Sequence, residues 1–98
     1  MYIKIGGYVV SIQYSDTILP NNNNVGEYSP FEQKITIANG LSKQHQQETL
    51  IHEVLEAIND IYELGLEHDE QLCKLSVILH QLLTEDKSYL INALQSCE

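Results

Sequence analysis

The sequence predicts an α+β fold, in which a small N-terminal antiparallel β-sheet is followed by a helical hairpin and a short third helix. Two periodicities support this prediction: polar and apolar residues alternate over residues 1–40, whereas apolar residues recur every three or four positions from Ser42 onward. The chain has 98 residues, which fits one domain. We therefore expect a single domain over residues 1–98, with a sheet part at 1–40 and a helical part at 41–98.

The predicted sheet begins with a β-hairpin. Residues 1–5 and 8–14 alternate in polarity on either side of Gly6-Gly7, and a glycine pair is typical of a tight hairpin turn. Pro20 and the asparagines at 21–24 predict a polar surface loop. After this loop, the alternation predicts two short strands at residues 25–28 and 34–38.

The helices are predicted from their caps and apolar stripes. Ser42 is a candidate N-cap of the first helix, and Gly65 is a candidate C′ residue after its end. A second helix begins near Glu67, and a third, short helix follows Thr84. The first two helices should pack as an antiparallel hairpin. We expect four apolar residues at their seam: Leu55, Ile58, Leu75 and Leu79.

Charge and cysteine content limit the possible partners. The formal net charge of −9 opposes direct binding to nucleic acid, because such binding depends on Lys and Arg contacts to phosphates. An acidic surface could attract a basic protein partner, or it could serve only to keep the chain soluble. Cys73 and Cys97 form no CxxC pair, and no apolar leader or membrane-length apolar run is present. We therefore expect a cytoplasmic protein with reduced thiols and no membrane association.

One segment of the first predicted helix carries residues at metal-binding spacing. His52 and Glu56 of the HEVLE segment are four positions apart, so their side chains leave the same helix face one turn apart. This is the arrangement of the zinc-binding HExxH helix, with Glu53 at the position of the general base and Glu56 in place of the second His. His68 begins the second helix on the side that faces the first, and it is the candidate third ligand.

The same residues also fit a purely structural interpretation. Glu56 could pair with His52 as a stabilising contact at i,i+4, and His68 could be a hydrogen-bonded structural residue. His45, seven positions before His52, is an alternative ligand or a solvated residue, and we expect the latter. His80 is expected to face away from the seam of the hairpin.

At these residues the sequence resembles a family of short phage and prophage metallopeptidases related to the ImmA-type and SprT-like zincins. The opening YIKIGGYVVSI is similar to their N-terminal hairpin, and EYSPFEQKITIANGLSKQHQQETLIHEVLEAI is similar to their strand, polar stretch and HE-containing helix. LGLEHDEQLCKLSVILHQLL resembles their downstream helix, which begins with a histidine. The resemblance covers most of the chain. It implies a minimal zincin-like domain and, for a phage-encoded protein, a location in the host cytoplasm.

The resemblance also implies a zinc cofactor and a role for four residues. It makes His52 and His68 metal ligands, Glu53 the general base, and Glu56 the ligand that replaces the second His of the family. This HExxE variant departs from the family pattern. A carboxylate in place of an imidazole adds negative charge, which lowers the Lewis acidity of the metal and so weakens the expected activity.

Two functions follow as hypotheses. One is a zinc-dependent metallopeptidase in which His52, Glu56 and His68 hold the metal and Glu53 acts as general base. The other is a zincin-like protein with weak or no activity that binds a host or phage protein partner. The substituted ligand and the lack of room for a substrate lobe favour the second hypothesis. Peptide binding also has little support, because only the strand at 34–38 is expected to offer an edge.

Overall fold

The protein forms a four-stranded sheet followed by three helices. The computed structural model describes residues 1–16 and 25–97, so the predicted loop at 20–24 lies outside the described residues. The strands are β1 (Tyr2–Ile5), β2 (Tyr8–Ser15), β3 (Gly26–Ser29) and β4 (Lys34–Ala38). The helices are α1 (Lys43–Ile61), α2 (Cys73–Thr84) and α3 (Lys87–Ser96), and a π-helical turn at His68–Leu72 leads directly into α2. The predicted α+β fold is confirmed. Within the described ranges, no helix is long and apolar enough to cross a membrane.

The sheet is mixed, and the prediction of a wholly antiparallel sheet is wrong. Its strand order is β1-β2-β4-β3, with antiparallel outer pairs and a parallel central pair formed by β2 and β4. The hairpin at Gly6-Gly7 is as predicted. β4 takes an inner position because Ile35, Thr36 and Ile37 are all buried, so both faces of this strand are shielded from water. Alternation along the sequence predicts strands but does not specify their order.

The hydrophobic core lies between one face of the sheet and α1. Its buried cluster joins residues of β1, β2 and β4 to one residue of α1: Ile5, Val10, Ile12, Ile35, Ile37 and Ala57. Four residues of the predicted apolar stripe on α1 pack against this cluster: Leu50, Val54, Ile58 and Ile61. The most deeply buried row of α1, however, is Thr49, Glu53 and Ala57. These residues are four positions apart, so a carboxyl group occupies the centre of the helix face that meets the sheet.

A glycine allows this carboxyl group to lie against the sheet. A Cβ atom at Gly26 of β3 would lie 2.6 Å from Thr49 Cγ2 and 3.2 Å from Glu53 Cγ. The first distance is too short for any real Cβ contact, so a larger residue at this position would push α1 away. The close approach of α1 to β3 therefore depends on the missing side chain of Gly26.

Helix α1 begins as predicted but ends earlier. Ser42 is its N-cap, with the hydroxyl accepting from the backbone amide of His45. The prediction of Gly65 as the C′ residue is wrong, because Glu63 occupies that position with a φ of 52°. The amide of Glu63 donates to the Asp60 carbonyl at 3.2 Å, and the next amide donates to the Asn59 carbonyl at 3.0 Å. These two bonds form a Schellman motif, which satisfies the last carbonyls of the helix and stabilises the left-handed conformation of a residue other than glycine.

The connection between α1 and α2 is held by one side chain. The Asn59 amide group donates to the Leu66 carbonyl at 3.2 Å and accepts from the Leu66 amide at 2.9 Å. Glu67 then caps the π-helical turn with its side chain, close to the predicted helix start. The Glu67 carbonyl accepts from the amide of Leu72, five residues later, at 3.0 Å. This connection returns the chain towards α1 and positions His68 beside it.

The face of α2 that meets α1 differs from the predicted one. Leu72 is 2% exposed and Ser76 is buried, whereas Leu75 is 37% exposed. His80 lies on the same row, with its Nε2 atom 3.3 Å from Gln47 Oε1 of α1. The predictions that Leu75 lies at the seam and that His80 faces away from it are therefore both wrong. The contact row runs through positions 72, 76 and 80 at four-residue steps, and the apolar pattern alone favoured a neighbouring row.

Two matched truncations test this assignment. We expect Leu72→Ala to lower the free energy of unfolding by about 2 to 5 kcal/mol, because it leaves a cavity at a fully buried position. Leu75→Ala should cost less than about 1 kcal/mol, since much of that side chain already contacts water. Chemical denaturation of both variants measures the difference. Equal losses, or a larger loss for Leu75→Ala, would contradict the observed seam.

Candidate metal centre

The imidazole of His52 is oriented by α2. Its Nδ1 atom lies 3.1 Å from Ser76 Oγ, and the Ser76 hydroxyl donates to the Leu72 carbonyl at 2.8 Å. Because the hydroxyl proton is already engaged, Ser76 accepts from an N–H at His52 Nδ1. The lone pair of His52 therefore lies on Nε2. Metal-binding histidines are commonly fixed in this way, by a hydrogen bond from the ring nitrogen that does not bind the metal.

His68 is fixed in the same tautomer by its neighbour. Its Nδ1 atom lies 2.9 Å from Asp69 Oδ1, and a carboxylate can only accept, so Nδ1 carries the proton. Its Nε2 atom lies 3.0 Å from His52 Nε2, with the two rings at an angle of 85°. Two ring nitrogens that both present lone pairs repel each other, so this spacing favours a proton or a metal ion between them.

Glu56 lies near both imidazoles, with a different carboxylate oxygen next to each. Its Oε2 atom lies 3.8 Å from His52 Nε2, and its Oε1 atom lies 3.7 Å from His68 Nε2. Two ligands of a tetrahedral zinc ion with bonds of 2.0 to 2.1 Å are about 3.3 Å apart. Glu56 and His52 also form an ion pair at i,i+4, as the structural interpretation expects. The three predicted ligands thus lie close together, with each imidazole next to a different oxygen of Glu56.

Glu53 lies beside these donors as a buried acid. Its side chain is largely enclosed, with the residue 5% exposed, and its Oε1 atom has no hydrogen-bond partner in the described structure. Burial raises the pKa of Glu53 to about 9, and a hydrogen bond and charge repulsion from Glu56 add to this shift. An unpaired buried carboxyl oxygen is costly, and such groups are concentrated at functional sites. A nearby cation would provide the missing partner and would favour the ionised form.

The two histidines differ in their electrostatic surroundings. Burial lowers the pKa of His52, with an opposing effect from Glu56 and a further lowering from His68. The hydrogen bond to Asp69 raises the pKa of His68. The two shifts run in opposite directions, so His68 binds a proton more readily than His52. Imidazole ligands must be neutral, so the affinity for a metal should rise with pH.

Three site residues were missed by the sequence analysis. Ser76 and Asp69 orient the two rings, and the ligand atoms of His52, His68 and Cys73 all lie within 4.8 Å of one another. The one available signal was the polar Ser76, which interrupts the apolar row of α2. A second group of close metal-binding side chains among the described residues is His52, Glu53 and Glu56. His45 is exposed and belongs to neither group.

The donor atoms line an open cleft of about 620 Å³ between β3, α1 and α2. Four of its lining residues are acidic and none is Lys or Arg: Glu27, Glu48, Glu53 and Glu56. One wall is β3, which is an edge strand of the described sheet. The prediction that residues 34–38 form the available edge is wrong, because β4 is paired on both sides. The oxygen and nitrogen donors, together with the unpaired Glu53 oxygen, fit a divalent cation such as zinc.

Comparison with protein-family models, with curated proteins and with solved structures gave no match. The resemblance to phage and prophage zincins therefore stays a prediction from the sequence.

The burial of Glu53 should make the free energy of unfolding depend on pH when no metal is bound. An unfolded Glu ionises near 4.5 and folded Glu53 near 9, so between these values the folded state keeps a proton that the unfolded state has lost. The free energy of unfolding should therefore fall as pH rises through this window. Glu53→Gln removes the effect, and we expect it to be more stable than the wild type near pH 8. Denaturation in a chelator at about pH 5 and pH 8 measures this difference.

The matched control is Glu32→Gln, at an exposed carboxylate in the turn between β3 and β4. It should keep the wild-type dependence on pH. If Glu53→Gln lost as much stability as the wild type between the two pH values, Glu53 would be ionised in the folded protein.

Proposed function

We propose that this protein binds a zinc ion through His52, Glu56 and His68 and hydrolyses peptide bonds in the cleft beside β3. The observation that carries the proposal is that His52 Nε2 and His68 Nε2 lie 3.0 Å apart, and that they lie 3.8 and 3.7 Å from the Oε2 and Oε1 atoms of Glu56. The three side chains come from two different helical segments, so local helix geometry alone does not explain their convergence. The hydrogen bonds of both Nδ1 atoms leave both Nε2 atoms available as ligands.

The ligand composition supports a catalytic site. Two histidines and one glutamate are the protein ligands of well-known zinc peptidase sites, which keep a fourth position for water or substrate. The sequence suggested a weakened site because Glu56 stands where a His is expected. His68 supplies the second imidazole from the other helical segment, so the total ligand charge is that of a His₂Glu site. When bound, zinc would act as a Lewis acid towards water and the substrate carbonyl group.

Glu53 is suited to the role of general base. It follows His52 in the chain and lines the same cleft as the donor atoms. The positive charge of a bound cation lowers its raised pKa and makes the carboxylate available to accept a proton. The same group can then pass that proton to the leaving amine.

The substrate class follows from the walls of the cleft. β3 is an edge strand next to the donor atoms, and an extended peptide can pair with such an edge through its backbone. The four acidic residues of the cleft wall favour a peptide with positively charged side chains near the scissile bond. The proposed substrate is therefore an extended, basic peptide segment.

Zinc should stabilise the folded protein. At a free concentration about 100 times Kd, a metal that binds only the folded state adds about 2.7 kcal/mol, which raises the melting temperature on the order of 10 °C in a domain of this size. We expect this rise in the wild type, measured against a chelated sample. His52→Ala and His68→Ala should abolish it.

His45→Ala provides the matched control, since His45 lies on the same helix and lines the same cleft but is not a proposed ligand. It should retain the full response to zinc. A similar response in all four proteins would show that zinc binds elsewhere, and no response in the wild type would exclude the site.

Hydrolysis should depend on Glu53. We expect Glu53→Gln to bind zinc with nearly unchanged affinity but to lose peptide hydrolysis by about 10²-fold or more, because proton transfer contributes that much to such reactions. The assay uses quenched fluorescent peptides that differ only in carrying Lys or Glu on both sides of the cleavage site. Faster cleavage of the Lys peptides, with a difference that shrinks at high salt, is expected. Wild-type protein that binds zinc but cleaves neither peptide would reject the enzymatic role.

A protein-binding role is the second candidate. Several apolar side chains on α2 and α3 are exposed: Val77, Ile78, Tyr89, Leu90, Ile91 and Leu94. An apolar surface of this kind, together with a net charge of −9, is suited to a partner with apolar and basic residues. This role requires neither zinc nor hydrolysis. It predicts a melting temperature that is unchanged by zinc or chelator.

A further inference from the structure

Cys73 is the one thiol near the proposed metal. It begins α2, and its Sγ atom lies within 4.8 Å of the ligand nitrogens of His52 and His68. The residue is partly buried and lines the same cleft as Glu53 and Glu56. Neither the spacing of the HEVLE segment nor the proposed His₂Glu site assigns it a role.

We propose that Cys73 is a fourth protein ligand of the metal ion held by His52, Glu56 and His68, so that the resting site is closed. The inference rests on the proposed metal site and adds a means of regulating it. A closed zinc site has four protein ligands and no position for water, whereas a catalytic site keeps one position open. Hydrolysis then proceeds in the fraction of molecules in which water has replaced the thiolate on the metal, so the wild type is slowed but keeps measurable activity.

The π-helical turn explains why Cys73 reaches the site. Residues five apart in a regular α-helix point about 140° away from each other, so His68 and Cys73 would diverge. Here the Cys73 amide donates to the His68 carbonyl across one π-helical turn. The wider turn brings the two side chains to the same side of the segment. The π-helical geometry is rare and is often found at functional sites. Here it would bring Cys73 to the proposed metal.

The distances suit coordination after a small adjustment. A thiolate at about 2.3 Å and an imidazole at about 2.0 Å from one tetrahedral ion are about 3.6 Å apart. The limit of 4.8 Å for the group of His52, His68 and Cys73 exceeds this by about 1 Å, which a side-chain rotation can supply. The unpaired Oε1 of Glu53, in a residue that is 5% exposed in the same cleft, independently indicates that a ligand belongs there.

A thiolate ligand also changes which metals the site prefers. Soft sulfur donors favour zinc and cobalt over magnesium, calcium or manganese, which prefer oxygen. The combined set of two nitrogens, one oxygen and one sulfur should therefore select tetrahedral, thiophilic ions. It should also hold them more tightly than the His₂Glu set alone.

Cobalt substitution of the full chain tests the thiolate directly. We expect the wild-type protein with Co²⁺ to show the strong visible absorption of a tetrahedral site and a near-ultraviolet thiolate-to-cobalt charge-transfer band. Cys73→Ser should keep the visible absorption and lose the charge-transfer band. Its affinity for zinc should fall on the order of tenfold or more. Cys97→Ser is the matched control, because Cys97 is exposed after α3, and it should resemble the wild type in both respects.

The cobalt spectra distinguish failure of the Cys73 proposal from failure of the proposed metal site. If the wild type shows the visible cobalt bands but no charge-transfer band, or if Cys73→Ser keeps that band, Cys73 is not a ligand and the His₂Glu site stands. If the wild type shows no cobalt bands, both proposals fail.

Alkylation of the Cys97→Ser protein gives a second measurement, since zinc should protect Cys73 from iodoacetamide. Equal labelling with and without zinc would overturn the role of Cys73, and circular dichroism establishes that each variant is folded.

Discussion

The hydrogen bonds on the two nitrogens of His52 are the constraint on which both the helical packing and the site depend. Nδ1 contacts Ser76 in the middle of α2, and Nε2 faces His68 at the start of the same segment. Both contacts require the chain to reverse after α1 at a fixed angle. The Schellman motif at Glu63 and the paired hydrogen bonds of Asn59 provide that reversal. The arrangement of the candidate ligands and the hairpin packing are therefore one structural unit, and a change in the connection would alter both.

A second constraint comes from the burial of Glu53 in a small domain. The central row of α1 places a threonine, a carboxyl group and an alanine against the sheet, where larger apolar residues would stabilise the fold more. A domain of this size buries a modest fraction of its surface, so this loss is substantial. Gly26 makes the arrangement possible by allowing β3 to approach the carboxyl group closely. A metal bound only by the folded state would offset the cost, which links stability to function at the same residues.

The negative charge around the candidate site links the ionisation of Glu53 to the binding of a cation. Glu53, Glu56 and Glu27 repel one another in the metal-free cleft, and protonation of Glu53 relieves part of that repulsion. A divalent cation relieves it more completely and allows Glu53 to ionise. The same acidic wall would attract a basic peptide, so one feature of the sequence would serve both the proposed metal and the proposed substrate. The exposed apolar residues of α2 and α3 lie outside this arrangement and are the part of the described surface that it leaves unexplained.

The sequence by itself determined the α+β class, the glycine hairpin, the N-cap at Ser42 and the pairing of His52 with Glu56 on one helix face. Each of these depends on local periodicity or capping, which involve residues close in the chain. It also indicated that His68 returns towards the first helix, because a short connection forces an antiparallel hairpin. Only the tertiary structure decided the inner position of β4, the Schellman residue Glu63 and the row through Ser76 and His80 that meets α1. Strand order depends on contacts between distant residues, and the face of α2 depends on a π-helical turn that shifts its register by one residue. Neither leaves a periodic signal in the sequence, and for that reason Ser76, Asp69 and Cys73 were recognised only once the folded chain placed them around His52 and His68.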